Sequence, residues 1–402
     1  EQLRQKLATL KSKRSSIMVL VVDMLDSSGS FLGRLRNLVG KNPVVLIGTK
    51  LDLLPLAGGI NAPKTNKGSV ESLHMRENTQ EQHLIDWLNS TAIHKGIRPI
   101  AVQVVSSKSG FGVREAARKI LSERKKRDVY IIGAANVGKS AFVKSLVKEM
   151  SDFSSRAFDP AALNQGRFLP VESSVPGTTL GIIALKAFES GGTLYDTPGV
   201  HLHHRLQHML TPKEVSELHP RRKLSVYVAE SPGTGGVTYN WGSLAKLDVL
   251  ECPEGTEIVF FGPKCLKVSY SEIIDKSESK VMKSNNVDDI FGHSSVQNRG
   301  GIRPMREYQQ FIHFEDFESN TQDLDARHYA EGVYDREETT LNAVVEVAVS
   351  GILGWIGVYA PKNAQARLRI QAHAPVGAEV FYRPPMISEF PRRKGKKSKE
   401  NT

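Results

Sequence analysis

The sequence predicts an α/β fold, with a doubly wound sheet around a phosphate-binding loop and a β-rich C-terminal domain after it. Three observations predict this. Short apolar runs alternate with helical patterns through the first 210 residues. One run leads directly into Gly133-Ala134-Ala135-Asn136-Val137-Gly138-Lys139-Ser140, a G-x-x-x-x-G-K-[ST] loop without departure. Beyond about residue 222 the pattern changes to alternating, β-branched segments.

The first-half strands are predicted at 17–22, 44–48, 100–105, 129–132, 182–187 and 193–195. The first is a short apolar run ending in Asp23, as a strand covered on both faces would be. Helical spacing falls between the strands at 31–39, 81–90, 113–124 and 139–150. Such alternation predicts a parallel sheet. The polar stretch 55–77, with its Gly, Asn and Lys, reads as a loop insertion, and 151–166 reads as a second irregular segment. In the second half, strands are expected at 224–229, 243–249, 257–261, 266–270, 343–349, 355–359, 368–372 and 378–382. The polar, acidic stretches 271–298 and 314–340 read as long loops, with room for one or two helices. The expected domains are 1–210, 211–390 and a basic, disordered tail over 391–402.

Composition narrows the function classes. A chain of 402 residues suggests two or three domains. With 40% hydrophobic and 24% charged residues it is neither wholly disordered nor a coiled coil. Two cysteines, Cys252 and Cys265, exclude a disulfide framework and a four-cysteine zinc site, and they fit a reducing compartment. No apolar run approaches the roughly 20 residues of a membrane helix. The nearest, 344–360, is broken by Glu346 and three glycines. The chain begins at Glu1, so a leader or a preceding domain is expected to have been removed. Charge is unevenly spread. Residues 1–210 hold 29 Lys and Arg against 17 Asp and Glu, residues 211–390 hold 19 against 25, and the tail holds six against one. A positive first half and tail, with Arg221-Arg222-Lys223 between them, favour a polyanionic partner such as nucleic acid.

The loop predicts nucleotide chemistry. Gly133 and Gly138 let backbone N–H groups turn inward through Asn136 and Val137, and the following helix adds the positive end of its dipole. Lys139 reaches the β- and γ-phosphates, and the Ser140 hydroxyl ligates Mg²⁺. Asp196-Thr197-Pro198-Gly199 closes an apolar strand 56 residues after Ser140. An aspartate there holds a Mg²⁺-bound water, and the Gly199 N–H can meet a γ-phosphate. Between the two lies Pro176-Gly177-Thr178-Thr179, whose Thr179, with Thr178 close behind, is suited to closing on Mg²⁺ and γ-phosphate.

Guanine presents two adjacent donors, N1–H and N2–H₂, that one carboxylate can accept together. Thr49-Lys50-Leu51-Asp52 ends the 44–48 strand with Asp52 in the reading position, and Thr49 stands where Asn is usual. Ser106-Ser107-Lys108 ends the 100–105 strand and stands for the Ser-Ala-Lys that contacts the base O6 through backbone N–H. Each tetrapeptide or tripeptide is weak alone.

Their order carries the signal. Both base-reading motifs precede the phosphate loop, the reverse of the conventional small GTPase, and the set resembles the circularly permuted GTPases of ribosome assembly. Within that group the chain is similar to the YqeH family, and most to its plant organellar branch of nitric-oxide-associated and brassinazole-insensitive-pale-green proteins. The residues that carry this are 21–26 with Gly29-Ser30, 133–140, 176–181, Leu194–Arg205, 241–244 and 350–355. Ser27 stands where the family usually has Phe, and the paired Cys-x-x-Cys of the family's N-terminal zinc domain is not among these 402 residues, as expected of a fragment. The resemblance implies Mg²⁺-dependent GTP hydrolysis to GDP, with Lys139, Thr179 and Gly199 in the catalytic roles and Ser140, Thr179 and Asp196 around the metal. It implies a ribosomal RNA or small-subunit partner in an organelle, the chloroplast or else the mitochondrion. Asn136 is where similar potassium-activated GTPases hold K⁺. Val200 follows Gly199 in place of the glutamine that orients water. A nucleotide-gated RNA scaffold with negligible hydrolysis is therefore the alternative. His201, His203 and His204 suggest structural or RNA contact more than metal. No haem-ligand or flavin motif is visible, which sets nitric-oxide synthesis aside.

Overall fold

The computed structural model describes residues 16–32, 35, 39–55, 70–152, 182–188, 191–273, 302–313, 340–362 and 364–391. They divide into two units. The first runs to Lys223, apart from Pro55–Gly59, and takes in the four residues Ser350–Leu353; the second takes Pro55–Gly59 and the remainder from Leu224.

In the first unit β1 (Ser16–Asp23), β2 (Val44–Thr49), β3 (Ala101–Val104), β4 (Asp128–Gly133), β5 (Ile183–Leu185) and β6 (Leu194–Asp196) form one sheet in the order β3-β2-β1-β4-β6-β5. Every residue of β1 and β2 is buried, which is why their sequences are continuous apolar runs. The chain winds from β1 outward to β2 and β3, then returns to β4 on the other side of β1. That reversal opens a crevice at the carboxyl ends of β1 and β4, the place where such sheets bind ligands. Helices α1 (Val70–His94), α2 (Val113–Arg124), α3 (Lys139–Asp152) and α4 (Pro212–Leu218) complete the unit. In α2 the buried Val113, Ala116, Ala117 and Ile120 follow the i, i+3, i+4, i+7 spacing of one apolar face. In α4, Thr211 and Glu214 form a capping box, Pro212 sits at the first turn, and Val215 and Leu218 are buried. This helix carries the first unit past residue 210.

Two expectations are corrected. The sheet is not wholly parallel: β5 pairs antiparallel with β6 as a three-residue edge, because the short connection between them cannot make a crossover. The segment 55–77 is not all loop. Helix α1 begins at Val70, where Gly, Pro and Asn give way to Glu, Leu, Met and Arg, which favour helix. Most of the helix predicted at 31–39 falls outside the described residues, as do 153–166 and the tail from residue 392.

The second unit holds two antiparallel sheets. One runs β17 (Val380–Arg383), β14 (Thr340–Val349), β15 (Trp355–Pro361), β10 (Glu257–Gly262), β7 (Ser225–Val228), with β18 (Glu389–Pro391) also on β14. The other runs β11 (Val268–Glu272), β8 (Val237–Trp241), β9 (Ala245–Glu251), β16 (Gln365–Pro375), β12 (Ile302–Pro304), with β13 (Tyr308–His313) also on β16. Trp241 meets Phe260 edge-on at 5.5 Å, and Phe261 stacks on Trp355 at 5.0 Å. Glu346, the charge that interrupts the apolar run of 344–360, is fully buried. It accepts hydrogen bonds from Arg383 Nε at 2.8 Å and from the Met386 and Ile387 N–H groups. Among the described residues of this unit none is helical. The four strands not expected, β8, β12, β13 and β18, are short and take their shape from their neighbours' ladders.

Candidate nucleotide site

Every described motif residue lies at or just beyond the carboxyl end of a strand. Asp23 ends β1, Thr49 ends β2, Ser106 follows β3, Gly133 ends β4 and Asp196 ends β6. The phosphate loop turns through Asn136 at φ 62° and Gly138 at φ 82°, both in the left-handed region that Asn and Gly tolerate best. Lys139 is 5% exposed, and its Nζ lies 3.4 Å from Asp196 Oδ1. Burial raises the Asp196 carboxyl above its ordinary range, and Lys139 partly offsets this. Lys139 and the Thr197 N–H are the groups that favour the charged form of this buried carboxylate. A buried carboxylate at this strand end and a hydroxyl at Ser140, the first turn of α3, are the hard oxygen donors that Mg²⁺ takes, with phosphate and water completing the set. Thr178 and Thr179 lie outside the described residues.

Gly199 packs directly on the loop. A Cβ there would meet Ala135 Cα at 2.8 Å and Ala135 N at 3.2 Å. The next residue, Val200, is tied to the loop through its backbone: its N–H donates to Gly133 O at 2.9 Å, and its carbonyl accepts from Ala135 N at 3.0 Å. The Asp-x-x-Gly segment and the phosphate loop are therefore one hydrogen-bonded body. We expect Gly199→Ala to push the loop aside and weaken GTP binding by about tenfold, a typical overpacking cost of 1–3 kcal/mol. An unchanged dissociation constant by fluorescent-nucleotide titration would contradict this.

The base-reading motifs are built around the same loop. Ser106 is buried, and its hydroxyl donates to Asp52 Oδ1 at 2.8 Å, so the two motifs meet. Ser107 follows it and Lys108 is exposed. The buried Thr49 hydroxyl lies 2.5 Å from the Val137 carbonyl and 3.1 Å from the Val22 carbonyl. Thr thus ties β2 to the phosphate loop where Asn is usual. Lys50 sits at φ 65°, a strain of about 1–2 kcal/mol for a side-chain-bearing residue. Its ammonium reaches Asp23 Oδ2 at 2.5 Å and the Asn136 carbonyl at 3.1 Å.

Three residues without an assigned role in the sequence reading, Asp23, Asp26 and Arg205, prove central. Asp23 holds Lys50 and caps the turn after β1 through the Leu25 N–H. Asp26 accepts from Arg205 Nε and from the Gly351 N–H, each at 3.0 Å. Burial pushes the Asp26 carboxyl up to about 6 against the lowering pull of Arg205. The available signal was a carboxylate closing a buried, almost wholly apolar strand and a second one three residues on, a costly arrangement unless each is paired.

The histidines take a different part. The rings of His201 and His208 lie 5.3 Å apart, and those of His203 and His208 6.2 Å. Burial lowers the His208 pKa, with His201, Arg205, His203 and His204 adding to it. Among the described residues no cluster of three or more His, Cys, Asp or Glu could hold a metal ion. His219, at the end of α4, bonds the Val215 carbonyl through Nδ1 at 2.9 Å. Burial first, then Lys50, lowers its pKa below the ordinary 6.5. The unfolded chain then binds more protons than the folded one just below pH 6.5, so stability falls as the pH drops through that window. We expect His219→Gln to flatten this slope in denaturant titrations between pH 7 and pH 5; an unaltered slope would count against it.

The family described as 50S ribosome-binding GTPase matches residues 128–238. That span opens with β4 and the phosphate loop, so the base-reading motifs lie before it, as a permuted order requires. A provisionally named nitric oxide synthase of Oryza sativa subsp. japonica is 32% identical over 96% of this chain and 64% of its own length. NO-associated protein 1, chloroplastic/mitochondrial, of Arabidopsis thaliana is 38% identical over 67% of this chain and 45% of its own length. The uncharacterized protein YqeH of Bacillus subtilis (strain 168) is 26% identical over 92% and 81%. The chain thus spans less than two thirds of either plant relative. With these relatives matching along the chain, it is a homologue of plant NO-associated protein 1 and of YqeH.

Proposed function

We propose that the protein binds GTP with Mg²⁺, hydrolyses it to GDP and phosphate, and assists ribosome assembly in an organelle. The observation that carries the nucleotide reading is the meeting of the two halves of the motif set: Thr49 and Lys50 bond the carbonyls of the phosphate loop, while Asp52 and Ser106 pair beside them. Asp52 accepts the two guanine donors. The loop N–H groups and Lys139 bind the phosphates. Ser140, Asp196 and Thr179 would hold Mg²⁺, which would neutralise charge on the β- and γ-phosphates. Thr179, Thr178 and the Gly199 N–H would close on the γ-phosphate. Val200 carries no group to orient water, so the reading includes a K⁺ ion at Asn136 in that electrostatic role.

Single-turnover hydrolysis of GTP and ATP, each in K⁺ and in Na⁺, tests this. GTP turnover that is faster in K⁺, with ATP inert, is expected; equal use of both nucleotides overturns the guanine reading. A scaffold that binds GTP without turnover is the second reading, favoured by Val200. The ribosomal part rests on the positive first half and tail and on the family's name. That name specifies the 50S particle, whereas the sequence resemblance points to the small subunit. Sedimentation of the tagged protein from plastids and from mitochondria, with GDP or a non-hydrolysable GTP analogue, separates the two subunits and the two organelles. The chloroplast small subunit is the expected fraction. No helix of the described residues is long and apolar enough to cross a membrane.

A further inference from the structure

We propose that Arg205 is a positioning residue for the phosphate loop, the third member of a side-chain clamp on three successive loop carbonyls. Arg205 Nη1 donates to Ala135 O at 2.6 Å, Lys50 Nζ to Asn136 O at 3.1 Å, and the Thr49 hydroxyl to Val137 O at 2.5 Å. Thr49 and Lys50 come from the end of β2 and Arg205 from the segment after β6, and all three side chains are largely or wholly buried. In a trans peptide the carbonyl of one residue and the N–H of the next point in opposite directions. Fixing the carbonyls of residues 135, 136 and 137 outward therefore fixes the N–H groups of Asn136, Val137 and Gly138 inward, where a phosphate would lie. The loop needs this help because its own backbone sits in the left-handed region at Asn136 and Gly138.

Arg205 is itself held. Its guanidinium is 1% exposed, and its Nε bonds Asp26 Oδ2. Asp26 Oδ2 is shared with the Gly351 N–H, and the neighbouring Leu206 N–H bonds Ser350 O at 2.8 Å. The planar fork lets one side chain bond Asp26 through Nε and Ala135 through Nη1 at once, which a lysine ammonium on a flexible stem cannot reproduce. Asp26 is thus the anchor, Arg205 the strut and Ala135 the point of support.

The inference rests on the nucleotide-binding reading above, and the test separates the two. Affinities for GDP and for GMP are measured for the protein and for Arg205→Lys. The lysine keeps a cation beside Asp26, so the fold and its melting midpoint are expected to hold. The β-phosphate, present in GDP and absent from GMP, depends most on the inward N–H groups. Arg205→Lys should therefore weaken GDP by about tenfold, the worth of one charge-assisted hydrogen bond, with GMP little changed. Should the lysine variant melt early, Asp26→Asn with Arg205→Met removes both charges from the buried pair and is read in the same way. Equal GDP affinity in protein and variant overturns the inference, and so does a parallel loss of GDP and GMP, which marks a general structural role. Failure of the unaltered protein to bind GDP overturns the nucleotide reading instead.

Discussion

Lys139→Ala is expected to lower GTP affinity by two to three orders of magnitude and also to destabilise the free protein. The first effect follows from removing a buried cation from the phosphate site, a loss of about 2–5 kcal/mol. The second follows from the Lys139–Asp196 ion pair. Lys139 Nζ is the only cation within 4.0 Å of the Asp196 carboxylate among the described residues, and both side chains are buried. Without Lys139 the Asp196 carboxyl keeps its burial penalty and loses its offset, so its pKa climbs further above the ordinary 3.8. The folded variant then binds more protons than the unfolded chain above that value. Its stability deficit grows as the pH rises through the raised folded pKa and shrinks toward pH 4. Adding Asp196→Asn removes the buried charge. The double variant should recover most of the melting midpoint and none of the GTP binding. Ser140→Ala, which leaves the ion pair alone, should lose Mg²⁺-dependent affinity with an unchanged midpoint. Melting curves across pH 4–8 and nucleotide titrations read all three proteins; GTP binding by the double variant at the parent's affinity would remove Lys139 from the phosphate site.

The Lys139–Asp196 pair marks the boundary of what sequence could supply. The loop, the strands that feed it and the permuted order were legible because local spacing dictates them: six apolar runs became six strands, and α2 matched residue for residue. Charge pairing was not legible, because it joins positions far apart in the chain. Asp26 meets Arg205 across 179 residues and Gly351 across 325. Thr49 reaches Val137 across 88, and that contact explains why a shorter hydroxyl can stand for Asn. The direction of β5 was missed for the complementary reason. A three-residue edge strand carries too little pattern to declare its sense, and connection length decided it.

Asp52→Asn is expected to exchange guanine for xanthine. In the proposed reading the carboxylate would accept from guanine N1–H and N2–H₂, and xanthine offers a carbonyl where guanine has its amino group. An asparagine can satisfy xanthine only if its NH₂ faces the base, and the structure supplies the device that would orient it. Ser106 is 1% exposed and its hydroxyl donates to Asp52 Oδ1 at 2.8 Å. In the variant the same hydroxyl would hold the amide oxygen and leave the NH₂ toward the base. Guanine would then meet donor against donor. Losing one charge-assisted bond costs about 1.5–3 kcal/mol, and leaving a buried donor unmatched adds about 1–3 kcal/mol. The ratio of GTP to xanthosine triphosphate affinity should therefore shift by roughly 10²–10⁴-fold, since each 1.4 kcal/mol is tenfold. The substitution leaves Lys139 and Ser140 untouched, so under the proposed reading the variant should bind its new nucleotide with Mg²⁺ and hydrolyse it. Ser106→Ala in the same background frees the amide to rotate, and the switch should then become smaller while the melting midpoint changes little. Competition titrations with both nucleotides measure the ratio. A variant that still prefers GTP as the parent does would show that Asp52 does not read the base, and that the Thr49–Asp52 segment serves only to support the phosphate loop.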